Sequence, residues 1–132
     1  MNVSNKKILI VEDSITQVMH LRGLLEEHEN LKIYVAEDGV NGLDLALSIH
    51  PDLIILDLQM PRMNGFQVVQ ALKEEKHTRT IPVIMFSSHS EKETQVLGIQ
   101  LGAVEYIPKD AFADAVLMET MRQMGFINHL NN

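Results

Sequence analysis

Short apolar runs alternate along this chain with longer stretches whose apolar residues recur at helical spacing. Lys7-Ile8-Leu9-Ile10-Val11 is the first run, and its β-branched residues predict a strand that ends at Glu12-Asp13-Ser14. Ile15, Val18, Leu21, Leu24 and Leu25 then mark one face of a helix over residues 14–28, capped by Asp13 or Ser14. Ile33-Tyr34-Val35-Ala36 predicts the second strand. The turn signal Glu37-Asp38-Gly39 follows, with Asp38 a candidate N-cap for a helix carrying Val40, Leu43, Leu45, Ala46, Leu47 and Ile49. Pro51-Asp52 ends that helix and feeds Ile54-Ile55-Leu56-Asp57-Leu58-Gln59-Met60-Pro61. An apolar run this short reads as a strand buried on both faces, and Pro61, which has no N–H to give a ladder, turns the chain.

The second half repeats the alternation. Arg62-Met63-Asn64-Gly65 reads as a loop, and residues 66–75 as a helix with Val68, Val69 and Leu72 facing inward. After the polar connection Lys76-His77-Thr78-Arg79-Thr80, the run Ile81-Pro82-Val83-Ile84-Met85-Phe86 predicts a fourth strand leading into Ser87-Ser88-His89-Ser90. Pro82 is tolerable only near the start of that strand. Ser90 and Glu93 have capping-box spacing ahead of a fourth helix carrying Val96, Leu97 and Leu101. Gly102-Ala103 closes it, Val104-Glu105-Tyr106-Ile107 predicts a fifth strand, and Pro108-Lys109-Asp110 leads into a last helix over residues 111–124. There Leu117, Met121 and Met124 fall at core spacing. Phe112, Val116 and Met118 widen its apolar face, which predicts a docking or dimer surface with the fourth helix and fifth strand, unless the sheet or the tail covers them. Residues 126–132 read as a frayed tail.

Five strand–helix alternations with connections too long for hairpins demand a parallel sheet, helices on both faces and right-handed crossovers. The fold class is α/β, and 132 residues make one domain with a core over about residues 6–124.

That topology changes the meaning of the strand-end residues, because every strand of a parallel sheet ends on the same edge. Glu12 and Asp13 arrive there from the first strand, Asp57 from the third and Ser87 from the fourth; Lys109 comes from the loop after the fifth. Taken singly, Glu12 and Asp13 are equally readable as helix caps, Ser87 as a strand end and Lys109 as a solvated lysine. Asp57 is harder to explain away, since an aspartate closing an apolar strand needs a partner. Three converging carboxylates repel one another unless a hard divalent cation sits among them, and few oxygen ligands with room for phosphate suit Mg²⁺ better than Ca²⁺. A lysine and a hydroxyl opposite them complement a phosphoryl group.

Composition removes competing classes. The formal charge of −7 argues against a nonspecific nucleic-acid surface, and the absence of cysteine excludes disulfides, thiolate zinc sites and thiol nucleophiles. No apolar run approaches the roughly 20 residues of a membrane span. No apolar signal core follows the N-terminus, so the chain reads as cytoplasmic. The histidines at 20, 28, 50, 77, 89 and 129 lack metal-ligand spacing. No glycine-rich loop follows the first strand, where a dinucleotide or P-loop site needs one.

With these positions in place, the chain resembles a response-regulator receiver domain of two-component signalling over about residues 6–124. The resemblance is carried by Ile8 to Asp13, Pro51 to Pro61, Pro82 to Ser87, Leu101-Gly102-Ala103 and Tyr106-Ile107-Pro108-Lys109. It implies a flavodoxin-like three-layer sandwich with strand order 2-1-3-4-5, and a phosphoacceptor role for Asp57. It further implies that Asp13, Asp57 and the Gln59 backbone carbonyl ligate Mg²⁺, with Glu12 acting largely through metal-bound water. Ser87 is implied to donate to a phosphoryl oxygen, Lys109 to pair with Asp57 or with the phosphoryl group, and Tyr106 to be the aromatic switch that moves inward with Ser87. Gln59 and His89, two residues beyond the acceptor and the hydroxyl, match positions that influence the lifetime of the phosphorylated form. The implied partners are a sensor histidine kinase or histidine phosphotransfer protein, with output through a homodimer or downstream effector on the fourth helix, fifth strand and fifth helix. The domain is then a switch that promotes its own phosphoryl transfer and dephosphorylation rather than an enzyme.

The chain departs from the family pattern in four places. Asp110 replaces the common proline after Lys109, so either a non-proline cis peptide is kept or the loop geometry differs. Ser87 replaces threonine, Ser88 replaces alanine and Asn64 replaces aspartate, none of which removes a reacting group. A small Mg²⁺-dependent phosphatase is the second reading, and Gln59, in the place of that class's second acid, counts against it. A flavodoxin-like binding module without phosphorylation is the third. The chain reads either as a stand-alone receiver or as one cut from a larger protein.

Overall fold

Alternating residues of each strand belong to opposite faces of one parallel sheet, and the two faces carry separate cores. The structure, a computed structural model, describes residues 4–128. The strands are β1 (Lys6–Val11), β2 (Leu31–Ala36), β3 (Leu53–Leu56), β4 (Val83–Ser87) and β5 (Glu105–Pro108). They lie in the order β2-β1-β3-β4-β5, as the resemblance implied. The helices are α1 (Ile15–Leu25), α2 (Gly39–Ile49), α3 (Gly65–Glu74), α4 (Lys92–Leu101) and α5 (Ala113–Gln123).

On one face Ile8, Ile10, Ile55, Ile84 and Phe86 meet Leu21 and Leu25 of α1 and Leu117 and Met121 of α5. On the other, Leu9, Val11, Ile54, Leu56 and Met85 meet Val68, Val69 and Leu72 of α3 and Ala46 of α2. This is the period-two alternation of a pleated strand, and it explains why β1, β3 and β4 read as continuous apolar runs. Val11 pairs with Leu56, Leu56 with Met85 and Ser87 with Pro108. The registry brings Glu12, Asp57, Ser87 and Lys109 to one edge.

Several local expectations need correction. Ile15 is 77% exposed, because the first turn of α1 starts at the strand ends, and the helix buries Leu21 and Leu25 instead. Ser14, not Asp13, caps α1, accepting from the Gln17 N–H at 3.3 Å. The predicted Ser90–Glu93 capping box does not form: α4 starts after Glu91 with no side-chain cap, and the Ser90 carbonyl accepts from Gln95 Nε2 at 2.8 Å. Val96 and Leu97 are exposed, and the buried residue of α4 is Gly98. In α5, Leu117 and Met121 are buried as expected, but Met124 at the C-cap is exposed, past the last turn that faces the sheet. Met118 packs against the core while Phe112 and Val116 remain exposed.

The supposed tail also starts inside the core. Phe126 and Ile127 are 7% and 1% exposed. The Phe126 N–H bonds the Met121 carbonyl at 2.9 Å, and its own carbonyl accepts from Asn30 Nδ2 at 2.9 Å. These bonds turn the chain back against α5 and the β1 face, so two large apolar side chains replace water there. Residues 129–132 lie outside the described residues.

Candidate functional site

The edge residues owe their positions to the strands β1, β3, β4 and β5. Glu12 leaves β1 with its N–H bonded to the Ala36 carbonyl at 3.0 Å, and the Asp57 N–H bonds the Val11 carbonyl at 3.0 Å as β3 ends. The ligand oxygens of Glu12, Asp13 and Asp57 lie within 4.8 Å of one another. Glu12 is buried, Asp13 exposed and Asp57 between the two. Burial, and then the Asp57 charge, push the Glu12 carboxyl above its ordinary value, against the opposing pull of Lys109.

Lys109 answers this cluster from the far side. Its Nζ lies 2.9 Å from Glu12 Oε1 and 3.8 Å from Asp57 Oδ1, and it stands over the Phe86 ring. The resemblance implies that Lys109 pairs with Asp57 or with the phosphoryl group; the Asp57 contact is present, and the shorter one is to Glu12, the more deeply buried carboxylate. The other Glu12 oxygen takes the Ser14 N–H at 3.2 Å. Three clustered carboxylates, two of them in contact with one ammonium, leave excess negative charge on oxygen ligands alone, the donor set of a hard divalent cation.

The Lys109–Asp110 peptide is trans. The loop takes its shape instead from Asp110, whose carboxylate accepts the Phe112 N–H at 2.8 Å, while the Lys109 N–H bonds the Ser87 carbonyl at 2.8 Å. That Asx turn uses two residues that were expected to be helical, so α5 starts at Ala113.

Ser87, fully buried at the end of β4, accepts the His89 N–H on its hydroxyl at 3.3 Å. Tyr106 points inward, and its hydroxyl donates to the His89 carbonyl at 2.7 Å. Burial raises the Tyr106 phenol above its ordinary value. The exposed Gln59 meets His89 across the site, Oε1 to Nε2, at 3.0 Å. The structure therefore brings all eight candidate residues to one edge: Glu12, Asp13, Asp57, Gln59, Ser87, His89, Tyr106 and Lys109.

Three supporting residues escaped the reading of the sequence. Gly65 admits the start of α3 to the site, since a Cβ there would collide with the Asp57 carbonyl oxygen, and its N–H bonds the Leu58 carbonyl at 2.7 Å. Asn64 caps α3 in a capping box with Gln67, a signal that Asn-x-x-Gln spacing carries in the sequence. Arg62, at φ 68°, pairs with the Asp38 carboxylate at 2.7 Å and straps the loop after β3 to the start of α2. The Asn41 N–H above all, with Arg62 adding to it, holds the Asp38 carboxyl below its ordinary value.

Comparison with known proteins identifies the family and the fold. Residues 8–122 match the response regulator receiver domain family. Protein PilH of Pseudomonas aeruginosa is 35% identical over 84% of this chain and 91% of its own length. The transcriptional regulatory protein CpxR of Escherichia coli is 40% identical over 88% of this chain but only 47% of its own, so the chain spans about half of that relative. The signal receiver domain of a signal transduction histidine kinase from Syntrophus aciditrophicus superposes with a TM-score of 0.80 at 35% identity, covering 90% of this chain and 89% of that one. Edge, order of residues and kinship agree: the chain belongs to the response regulator receiver domains of two-component signalling.

Proposed function

We propose that this receiver accepts a phosphoryl group on Asp57 with Mg²⁺ bound at Asp13, Asp57 and the Gln59 carbonyl, Glu12 acting through water. The single observation that carries the reading is the convergence of Glu12, Asp13 and Asp57 within 4.8 Å, faced by Lys109. An Asp57 oxygen attacks phosphorus of a phosphohistidine; the P–N bond breaks and its electrons stay on the imidazole, which takes up a proton. Mg²⁺, when bound, offsets charge on the phosphoryl oxygens. Lys109 does the same from the other side, and the Ser87 hydroxyl donates to a phosphoryl oxygen. Hydrolysis by water then restores the Asp57 carboxylate.

A sensor histidine kinase or phosphotransfer protein is the donor class this chemistry requires. Output through α4, β5 and α5 is supported by exposed Val96, Leu97 and Ile99 on α4, Val104 before β5 and Val116 on α5. The chain's own role is that of a switch. Among the described residues no helix is long and apolar enough to cross a membrane.

Incubation with acetyl phosphate and Mg²⁺ tests the proposal. A phosphoryl adduct that fails to form when Mg²⁺ is chelated, or when Asp13→Asn is used at low Mg²⁺, is the expected result; adduct formation indifferent to the cation contradicts it.

A further inference from the structure

The loop from Asp57 to Gly65 is closed at its neck and held at its tip. At the neck the Asp57 N–H bonds the Val11 carbonyl at 3.0 Å, and the Gly65 N–H bonds the Leu58 carbonyl at 2.7 Å. At the tip the Met63 N–H bonds the Pro61 carbonyl at 2.8 Å around Arg62, whose φ is 68°. A hydrogen bond between residues two apart, around a residue at positive φ, has the form of the rare and strained γ-turn. Glycine tolerates that backbone, whereas an arginine there persists only when its surroundings hold it.

The start of α2 supplies the hold. Asp38 is buried, and its two carboxylate oxygens are given different tasks. Oδ1 accepts the Asn41 N–H at 2.8 Å and caps α2. Oδ2 accepts from Arg62 Nη2 at 2.7 Å and Nε at 3.2 Å, and from Asn41 Nδ2 at 3.4 Å. Beside this pair the loop rests on α2 directly: a Cβ at Gly39 would lie 2.5 Å from the Met63 carbonyl oxygen and 2.8 Å from Met63 Cβ. Gln59, whose carbonyl is a proposed Mg²⁺ ligand, lies on the limb between neck and tip.

We propose that the Asp38–Arg62 pair is a latch that holds the strained turn and so keeps the Gln59 carbonyl available to Mg²⁺, which makes Arg62 a positioning residue for the cation. The inference rests on the Mg²⁺ reading of the site and extends it to two residues outside the acidic cluster. Without the latch the turn relaxes toward negative φ, and the carbonyl is competent only in the molecules that keep the turn. The apparent affinity for Mg²⁺ falls by that fraction. Arg62 is half exposed, so the latch biases the loop without locking it.

The test is a Mg²⁺ titration of wild type, Arg62→Ala, Asp38→Asn, the double variant and Arg62→Gly, followed by the amide resonances of Glu12 and Asp13. In Asp38→Asn the remaining oxygen is used by the cap, and the amide nitrogen turned toward Arg62 can only donate. Arg62→Ala and Asp38→Asn should each weaken Mg²⁺ by about fivefold, and the double variant no further. Charge alone predicts opposite signs, because losing the arginine would tighten a cation while losing the carboxylate would loosen it. Arg62→Gly, which gives up the pair but also the strain, should fall between Arg62→Ala and wild type. Mg²⁺ binding by Arg62→Ala as tight as wild type or tighter, by Arg62→Gly weaker than Arg62→Ala, or losses that add in full in the double variant, overturns the proposal. A second readout needs no metal: hydrogen exchange at the Met63 N–H should quicken in Arg62→Ala and Asp38→Asn, and an unchanged rate overturns the latch. If wild type binds no Mg²⁺, the metal reading fails instead, and the exchange at Met63 still decides whether the latch holds the loop.

Discussion

Lys109 is bound to Glu12: its ammonium lies 2.9 Å from a carboxylate oxygen that is almost wholly out of solvent. A buried carboxylate stripped of its cation is strongly destabilising, and the ammonium competes with any divalent cation for the same oxygens. Lys109→Met is therefore expected to lose about 3 kcal/mol in Mg²⁺-free buffer, the low end for a broken buried pair. Added Mg²⁺ should raise its melting temperature by more than it raises that of wild type. Thermal melts with and without Mg²⁺ check both statements.

Asp38 and Arg62 predict a pH dependence. The folded Asp38 carboxyl lies below its ordinary value of 3.8, first through the Asn41 N–H and then through Arg62. A lowered carboxylate contributes stability above its unfolded value and loses it as pH falls through the folded one. Asp38→Asn keeps a competent N-cap but removes the charge, so it isolates the electrostatic part. Its melting temperature should lie below wild type at neutral pH, with the gap closing as pH falls below 3.8.

Gly98 makes room for the inward ring of Tyr106. A Cβ at Gly98 would lie 3.0 Å from Tyr106 Cδ2 and 3.0 Å from Met85 Sδ. Gly98→Val is expected to cost about 1–3 kcal/mol through overpacking and to turn the tyrosine outward. Burial is the main cause that raises the Tyr106 phenol above 10.0, so in the variant its phenolate absorbance should appear at lower pH than in wild type.

Phe126 belongs to the core and is not part of a loose end. Phe126→Ala should destabilise by about 3 kcal/mol, the lower range for removing a buried phenylalanine. A denaturant midpoint unchanged from wild type contradicts its burial.

The sheet was legible because β1, β3 and β4 are buried on both faces, which leaves a signature that no amphipathic helix shares. The site was legible for the same reason: in a parallel sheet a charged residue at the end of an apolar run can go only to one edge, so Asp57 and Glu12 announced their meeting place. α4 misled because Val96 and Leu97 are apolar yet exposed, while the residue facing inward is a glycine that hydropathy scores as nothing. Phe126 and Ile127 were obscured by Gly125 ahead of them and by the short chain that follows. The choice of Glu12 as the nearest partner of Lys109, and the meeting of His89 with Gln59, depend on side-chain depth across separate strand ends, which no local pattern records.

The central claim, that Asp57 is the residue phosphorylated, is tested most directly by the intact mass of wild type and Asp57→Asn after acetyl phosphate and Mg²⁺. A single phosphoryl adduct in wild type and none in the variant is the predicted result. An equal adduct in Asp57→Asn, or no adduct in a folded wild type that binds Mg²⁺, would contradict it.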